Sequence, residues 1–375
     1  MAARGCGPVG WRPPDRFEEW LRAPVPLEST HPRFDVRRAR PAEFEALYDV
    51  VDAAFGYKRP RAVYDWFYRR NPYGTARCWI VIDRASGQVI GSAAWWPWPM
   101  AHGEEPSEGT LGADWAVAPQ WQRQGIPRLR AEVWASHPWY GKATGISWPN
   151  EKSRGSGIKR GRADRIVGPV PRAILPLDAE QLLASRGWPS PVCRVAGIVA
   201  DSASRAARGL FLPRAGDVAI EPMRRFETAF DAVTYRCMAW HGFWSPHDAE
   251  FLNWRYIEHP AGGYVAFAAA AGGEPVGYCV LRLAVQDAWL MELAAPAAPS
   301  PVAGALVRHA VEVARAAGCT CLKFSAPPQW RHWRLLRRAG FLPVPSDIYV
   351  WPGGEVLRVR QLDQWQWVPG DMDAR

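Results

Sequence analysis

The sequence predicts an α/β (α+β) chain in which one mixed β-sheet, flanked by helices, occurs twice in tandem. Two matched signatures and a shared rhythm of elements predict it. Trp66, Tyr68, Pro72 and Gly74 recur at identical spacing as Trp254, Tyr256, Pro260 and Gly262, an offset of 188. Pro169-Val170-Pro171 with Ile174 recurs as Pro343-Val344-Pro345 with Ile348, an offset of 174. Two signatures in the same order at similar offsets indicate duplication. At about 150 residues per domain, a chain of 375 has room for both copies.

In the first copy, strand 34–38 is followed by a helix from Pro41 to Phe55 and another from Arg61 to Arg70. The second stops before Asn71-Pro72, because a residue ahead of proline is pushed out of the helical region. Strands 77–84 and 88–98 join at Ser86-Gly87, and the alternating run 109–118 adds a third. Helix 125–135, strand 143–148, helix 151–160 and strand 169–176 complete the unit. The second copy repeats the order: strand 217–223, helices 227–240 and 247–257, strands 264–270, 275–285 and 288–294, helix 301–317, strand 320–325, helix 328–338 and strand 346–351. The expected organisation is an N-terminal extension (1–32), a first domain (33–177), a linking arm with helical patches (178–215), a second domain (216–352) and a C-terminal tail (353–375).

With 48% hydrophobic and 22% charged residues, the chain has ample material for two cores, which excludes disorder as its main state. Its net charge of +9 favours anionic partners. The 22 tryptophans read as core and wall material, with an aromatic sugar-stacking surface as the sharper alternative. Seven scattered cysteines include one close pair, Cys319 and Cys321, with no second pair to complete a zinc site, so no metal is expected and the thiols read as reduced. The N-terminal twenty residues lack the apolar segment of a signal peptide, and the most apolar run, 264–271, is too short to cross a bilayer. A cytoplasmic protein without a membrane span is expected.

The most informative segment is Asp114-Trp115-Ala116-Val117-Ala118-Pro119-Gln120-Trp121-Gln122-Arg123-Gln124-Gly125-Ile126-Pro127-Arg128-Leu129. A strand enters a turn that opens a helix at Gly125, and successive N–H groups with a helix dipole bind anions without a charged side chain. This segment resembles motif A of the Gcn5-related N-acetyltransferases, in which an Arg/Gln-x-x-Gly-x-Gly/Ala turn cradles the pyrophosphate of acyl-CoA. Val117, Pro119, Gln122, Gly125 and Leu129 match; Pro127 stands at the last Gly/Ala position and removes one N–H donor. The resemblance implies acetyl-CoA or another acyl-CoA as co-substrate, held by Trp115, Val117, Gln122, Arg123, Gln124, Gly125, Ile126, Pro127 and Arg128. It also implies that Asn150, eleven residues before Gly161, contacts the pantetheine arm or its sulfur. Gly157 replaces the tyrosine that protonates the leaving thiolate in many members, and Arg162 replaces the usual Phe, so the general acid is unassigned.

The second copy keeps Gly340-Phe341 of that family, but its turn at 294–301 lacks the Gln/Arg-x-x-Gly pattern, and Ser300-Pro301 reads as an ordinary helix start. It is expected to bind no CoA. Residues 121–172 hold 11 Lys/Arg against Glu132, Glu151 and Asp164, a local +8 suited to CoA phosphates. No nucleic-acid reader motif accompanies the charge, so nucleic acid is not the expected partner.

Acyl transfer to an amine requires the amine to be neutral, and a carboxylate or His can take its proton. Asp114, three residues before Val117, is the leading base, with a satisfied strand-end Asp as the plain alternative. Glu104, Glu105, Glu108, His102 and His137 are further candidates. Because Trp66/Tyr68 and Trp254/Tyr256 occur in both copies, a packing role is favoured for them. The sequence therefore reads as an N-acyltransferase in which a small-molecule amine attacks the thioester directly. The tandem form and the ending Trp365 to Asp373 resemble members associated with bacterial polysaccharide genes, which implies an amino sugar acceptor. A natural-product or aminoglycoside amine, an acyl carrier protein or aminoacyl-tRNA donor, and a non-catalytic scaffold are the rival readings.

Overall fold

The computed structural model describes residues 15–159, 166–185, 187–213, 216–297, 300–353 and 361–372. Helix α1 (Phe17–Arg22) and strand β1 (Phe34–Arg38) lead into α2 (Phe44–Phe55), α3 (Arg61–Tyr68) and strands β2 (Arg77–Asp83), β3 (Val89–His102) and β4 (Glu105–Val117). Helix α4 (Ile126–Ala135), strand β5 (Thr144–Ser147), helix α5 (Glu151–Lys159) and strand β6 (Arg172–Pro176) follow, then the arm helices α6 (Ala179–Ala184) and α7 (Ser190–Phe211). The second copy contains β7 (Val218–Met223), α8 (Ala229–Met238), β8 (Phe243–Trp244), α9 (Ala249–Leu252), β9 (Tyr264–Ala271), β10 (Glu274–Leu283) and β11 (Asp287–Ala294). It ends with α10 (Pro301–Ala316), β12 (Cys321–Ser325), α11 (Trp333–Arg338) and β13 (Leu342–Val344), and the tail adds β14 (Trp365–Gln366).

Local chemistry sets the boundaries that matter for the site. Gly56, in the left-handed region at φ 74°, ends α2. Asp248 caps α9 by accepting from the N–H of Phe251 at 2.8 Å. The helix then widens into a π-turn over Asn253–Ile257, which carries the repeated Trp254 and Tyr256. Ser300 caps α10 as expected, accepting from the N–H of Ala303. Gly304 lets the end of the arm lie on this helix, since a Cβ there would stand 2.9 Å from the carbonyl of Pro213.

Strands β3 and β4 run farther than the sequence indicates. They meet at Gly103-Glu104, so Glu105 and Glu108 lie on a strand rather than in a loop. Contact with the second copy holds this extension, because Ala101 and His102 pair with Trp244 and Phe243 of β8.

The first sheet has the order β1-β2-β3-β4-β5, with β8 and β14 attached at the β3 extension; the second runs β13-β6-β12-β11-β10-β9-β7. Here the structure corrects the reading of 169–176 as the last strand of the first unit. Strand β6 lies in the second sheet, antiparallel to both β12 and β13. In return, the end of the second copy crosses to the first sheet. Trp351 and Gly353 exchange backbone hydrogen bonds of 2.7–3.1 Å with Ser147 and Gly145 of β5, and Val350 bridges Val167. Each copy thus completes its sheet with a segment of the other. Backbone pairing satisfies an open strand edge whichever copy supplies the partner, and periodicity carries no record of that choice.

Most tryptophans that the structure buries pack in the core, including Trp79, Trp96, Trp98, Trp244 and Trp365. The two copies meet through their repeated signature: Trp66 donates to the carbonyl of Trp254 at 3.0 Å, and the two rings stack. The six described cysteines are buried free thiols. Among the described residues, no helix is long and apolar enough to cross a membrane.

Candidate active site

The β3–β4 ladder pairs Ala94 with Ala113 and Ser92 with Ala116, so Asp114 and Trp115 together face Ala93. This is a β-bulge, and Asp114 adopts φ 51° within it. The bulge resets the alternation of the strand. Asp114 turns to α3, where Tyr68 donates to its Oδ2 at 2.8 Å, and Trp115 packs toward Trp134 of α4 and Trp351.

Both oxygens of Asp114 are engaged, because Arg59 donates to Oδ2 at 2.9 Å and to Oδ1 at 3.1 Å. The Asp114 side chain is only 2% exposed. Burial and the Asp114 charge raise the pKa of the Tyr68 hydroxyl well above the phenol range, which keeps it a donor. A carboxylate bound this way gives up two charged hydrogen bonds if it takes a proton from an amine, which argues against the base role expected from sequence.

The second copy repeats the constellation. Tyr256 donates to Glu292, and His247 Nδ1 lies 2.9 Å from the same carboxylate. His247 stands at the repeat offset of 188 from Arg59, and Tyr256 at the same offset from Tyr68. A cation–carboxylate–tyrosine cluster that persists where the Gln-x-x-Gly turn is lost belongs to the architecture of the fold. Replacing Asp114 with Ala should therefore cost about 3 kcal/mol, since it removes the carboxylate that pairs with a largely buried guanidinium. Thermal melting checks this, and an unchanged pH–rate profile in Asp114→Asn would separate positioning from base catalysis.

The other candidate bases are also occupied or displaced. Glu108 pairs with Arg77 at 2.5 Å. His137 is buried against the carbonyl of Trp20 at 3.1 Å. His102 and Glu105 sit at the far end of the hairpin, where β8 attaches.

The turn takes the form that the sequence implies. Arg123 at φ 65° and Gly125 at φ 77° bend the chain, and Gly125 is the N-cap of α4. Gln122 donates from its side chain to the carbonyl of Val117 at 3.2 Å, tying the turn to the strand. Among the described residues, none accepts from the N–H of Gln124, Gly125 or Ile126. Three open donors at a helix N-terminus suit an anion. Arg128 is exposed and pairs with Glu132, one turn further along the helix.

Asn150 caps α5, its Oδ1 accepting from the N–H of Ser153 at 2.9 Å, and it lines the larger cleft. At Gly157, a Cβ would stand 2.7 Å from the Trp351 ring. The exchanged segment thus accounts for the missing tyrosine, whose place beside α5 is taken by Trp351. Gly161 and Arg162 lie outside the described residues, as do Arg160 and Arg165 of the basic run.

Two cavities flank the end of the β4–β5 pairing, and both are lined by Gly112, Trp115, Ser147 and Trp351. The larger, about 510 Å³, reaches from Lys58 and Arg59 through Asp114 and Asn150 to His259 and Arg282 of the second copy. Burial, with the charges of Arg255 and Arg282, pushes His259 down to about 3, so it is neutral at pH 7. Its Nδ1 accepts from the N–H of Ala261, which leaves the proton on Nε2. The only carboxylate lining this cleft is Asp114, already paired, so the cleft is cationic among the described residues. No motif marks His259 or Arg282, which reach the site only because the second copy packs against the first. Among the described residues, no group of three or more His, Cys, Asp or Glu could hold a metal ion.

Residues 35–129 match the family model described as Acetyltransferase (GNAT) domain. The fold is similar to that of a conserved protein from Enterococcus faecalis described as Probable N-Acyltransferase, at TM-score 0.57 and 12% identity, over 84% of this chain and 71% of that one. A GCN5-related N-acetyltransferase from Anabaena variabilis gives TM-score 0.54 at 12% identity, over 85% and 72% of the two chains. One from Kribbella flavida gives 0.51 at 15%, over 85% and 71%. No curated protein matches the sequence.

Proposed function

From a GNAT acetyltransferase domain in the first copy and the GNAT fold as premise, we propose that this chain is an acyl-CoA-dependent N-acyltransferase with its site between the copies. The turn of open N–H groups beside the bulge, leading into a cleft walled by both copies, is the observation that carries this reading. The pyrophosphate sits on Gln122, Arg123, Gln124, Gly125 and Ile126, at the start of α4 where Pro127 and Arg128 follow. The pantetheine passes Val117 and Trp115 on one side and Asn150 on the other. Asp114, held by Arg59 and Tyr68, is a positioning residue that fixes the bulge and so aims the adjoining backbone at the thioester carbonyl.

The amine attacks the carbonyl carbon, the C–N bond forms, the C–S bond breaks, and the amine proton leaves to solvent in the cleft. A thiol with a pKa of about 8.5 is an adequate leaving group without an enzymic acid, which accommodates Gly157. The second copy contributes the acceptor wall. Lys58, exposed at the mouth of the cleft, favours an acceptor that bears an anionic group, as a phosphorylated or nucleotide-linked amino sugar for a polysaccharide does. The buried free thiols and the need for CoA fit the cytoplasm.

A phosphorylated glucosamine should be acylated at least about tenfold more efficiently than glucosamine, and Lys58→Gln should erase most of the difference through KM. Thiol release measured with both acceptors tests this. Acyl-CoA binding without thiol release from any amine would sink the enzyme reading and favour the scaffold.

A further inference from the structure

The smaller cavity, about 130 Å³, lies between α4 and strands β4 and β5, on the opposite side of the shared wall from the acceptor cleft. Trp95, Trp115, Trp134, Tyr140, Ile146 and Trp351 give it an aromatic, apolar lining. Four of its polar side chains already have partners. Arg77 pairs with Glu108, Arg130 donates to the carbonyl of Ser92, His137 meets the carbonyl of Trp20, and Ser147 donates to that of Trp351. A cavity walled mainly by aromatic and apolar side chains has little to offer water and takes an apolar guest; one of about 150 Å³ holds a benzene ring.

We propose that this cavity receives the acyl chain of the donor, so that the enzyme transfers a medium-chain acyl group of about four to six carbons in preference to acetyl. The inference rests on the acyl-CoA reading above. Trp115 supplies the link. Its ring borders both cavities, and its Nε1–H is buried without an acceptor among the described residues, a donor that a carbonyl entering at this wall would satisfy. A thioester carbonyl at that point leaves the chain beyond it facing the tryptophan-lined space, while the amine approaches from the cationic cleft. The step is unchanged by chain length: C–N forms, C–S breaks, the amine proton goes to solvent and the thiolate leaves with CoA. Trp351 belongs to the segment exchanged from the second copy, so acyl selection depends on both halves of the chain.

Equilibrium binding and kcat/KM with acetyl-, butyryl- and hexanoyl-CoA test this. Affinity should rise by up to about fourfold per methylene from acetyl to hexanoyl. Ala131→Leu, which places bulk from α4 into the cavity, should reverse the order while leaving acetyl-CoA binding intact. Trp134→Ala, which enlarges the space, should move the optimum to longer chains and guards against a folding defect in the first variant. Acetyl-CoA binding with no gain from longer chains overturns the pocket and leaves the donor site standing. Failure of every acyl-CoA to bind overturns the donor reading and the pocket with it.

Discussion

Asp371→Ala should destabilise the chain by about 3–5 kcal/mol, the range for breaking one side of a fully buried ion pair. The tail carries Asp371 into the interior, where its Oδ1 lies 2.9 Å from His247 Nε2 and accepts from Trp98 Nε1 at 3.2 Å. His247 is wholly buried between this carboxylate and Glu292. Burial alone would lower its pKa, but the two carboxylates outweigh it and raise the value to about 10. Because the folded value exceeds the unfolded one of about 6.5, the cluster contributes its full stability below pH 6.5 and loses it as pH rises through 10. The wild-type melting midpoint should therefore fall between pH 7 and pH 10. In His247→Gln, that fall should flatten. A wild-type midpoint that stays level over this range would mean that His247 is neutral in the folded protein.

The second large effect is on the donor. A ligand at about one hundred times its dissociation constant stabilises a protein by about 2.7 kcal/mol, and acyl-CoA should raise the melting midpoint accordingly. Gly125→Glu should remove that rise. Space is no obstacle at this position, because a Cβ on Gly125 meets nothing within 4 Å. The left-handed backbone costs a non-glycine residue about 1 kcal/mol, so the variant should still fold. What it loses is the anion site, since a carboxylate now stands among the N–H groups of 124–126. A midpoint that rises equally in both proteins would place the donor elsewhere.

The parts of this molecule legible in its sequence are those with local causes. The turn and α4 follow from Gly125 and Pro127, and the start of α10 follows from Ser300 and Pro301. The duplication is visible because Trp66 and Trp254, with Tyr68 and Tyr256, do the same work twice. What stayed hidden depends on partners distant in the chain. Asp114 looks like a base until Arg59 and Tyr68 take both its oxygens. The absence of a tyrosine at 157 looks like a lost acid until Trp351 arrives from the second copy. His259 and Arg282 carry no motif at all. The strand exchange is the extreme case, since both strands have the right composition and only their destination differs.

That exchange has a consequence for how the chain is made. The first sheet is synthesised early, yet the edge of β5 waits for Trp351, 204 positions further along the chain than Ser147. Closing so long a loop is a late and slow step in folding. A ribosome-bound nascent chain ending near 177 would present an unpaired strand edge, a template for association with other chains. Neither half is a detachable module. A gene cut at the linking arm should yield two insoluble fragments, and co-expression of the pair should restore one soluble complex, because each fragment holds the strand that the other lacks.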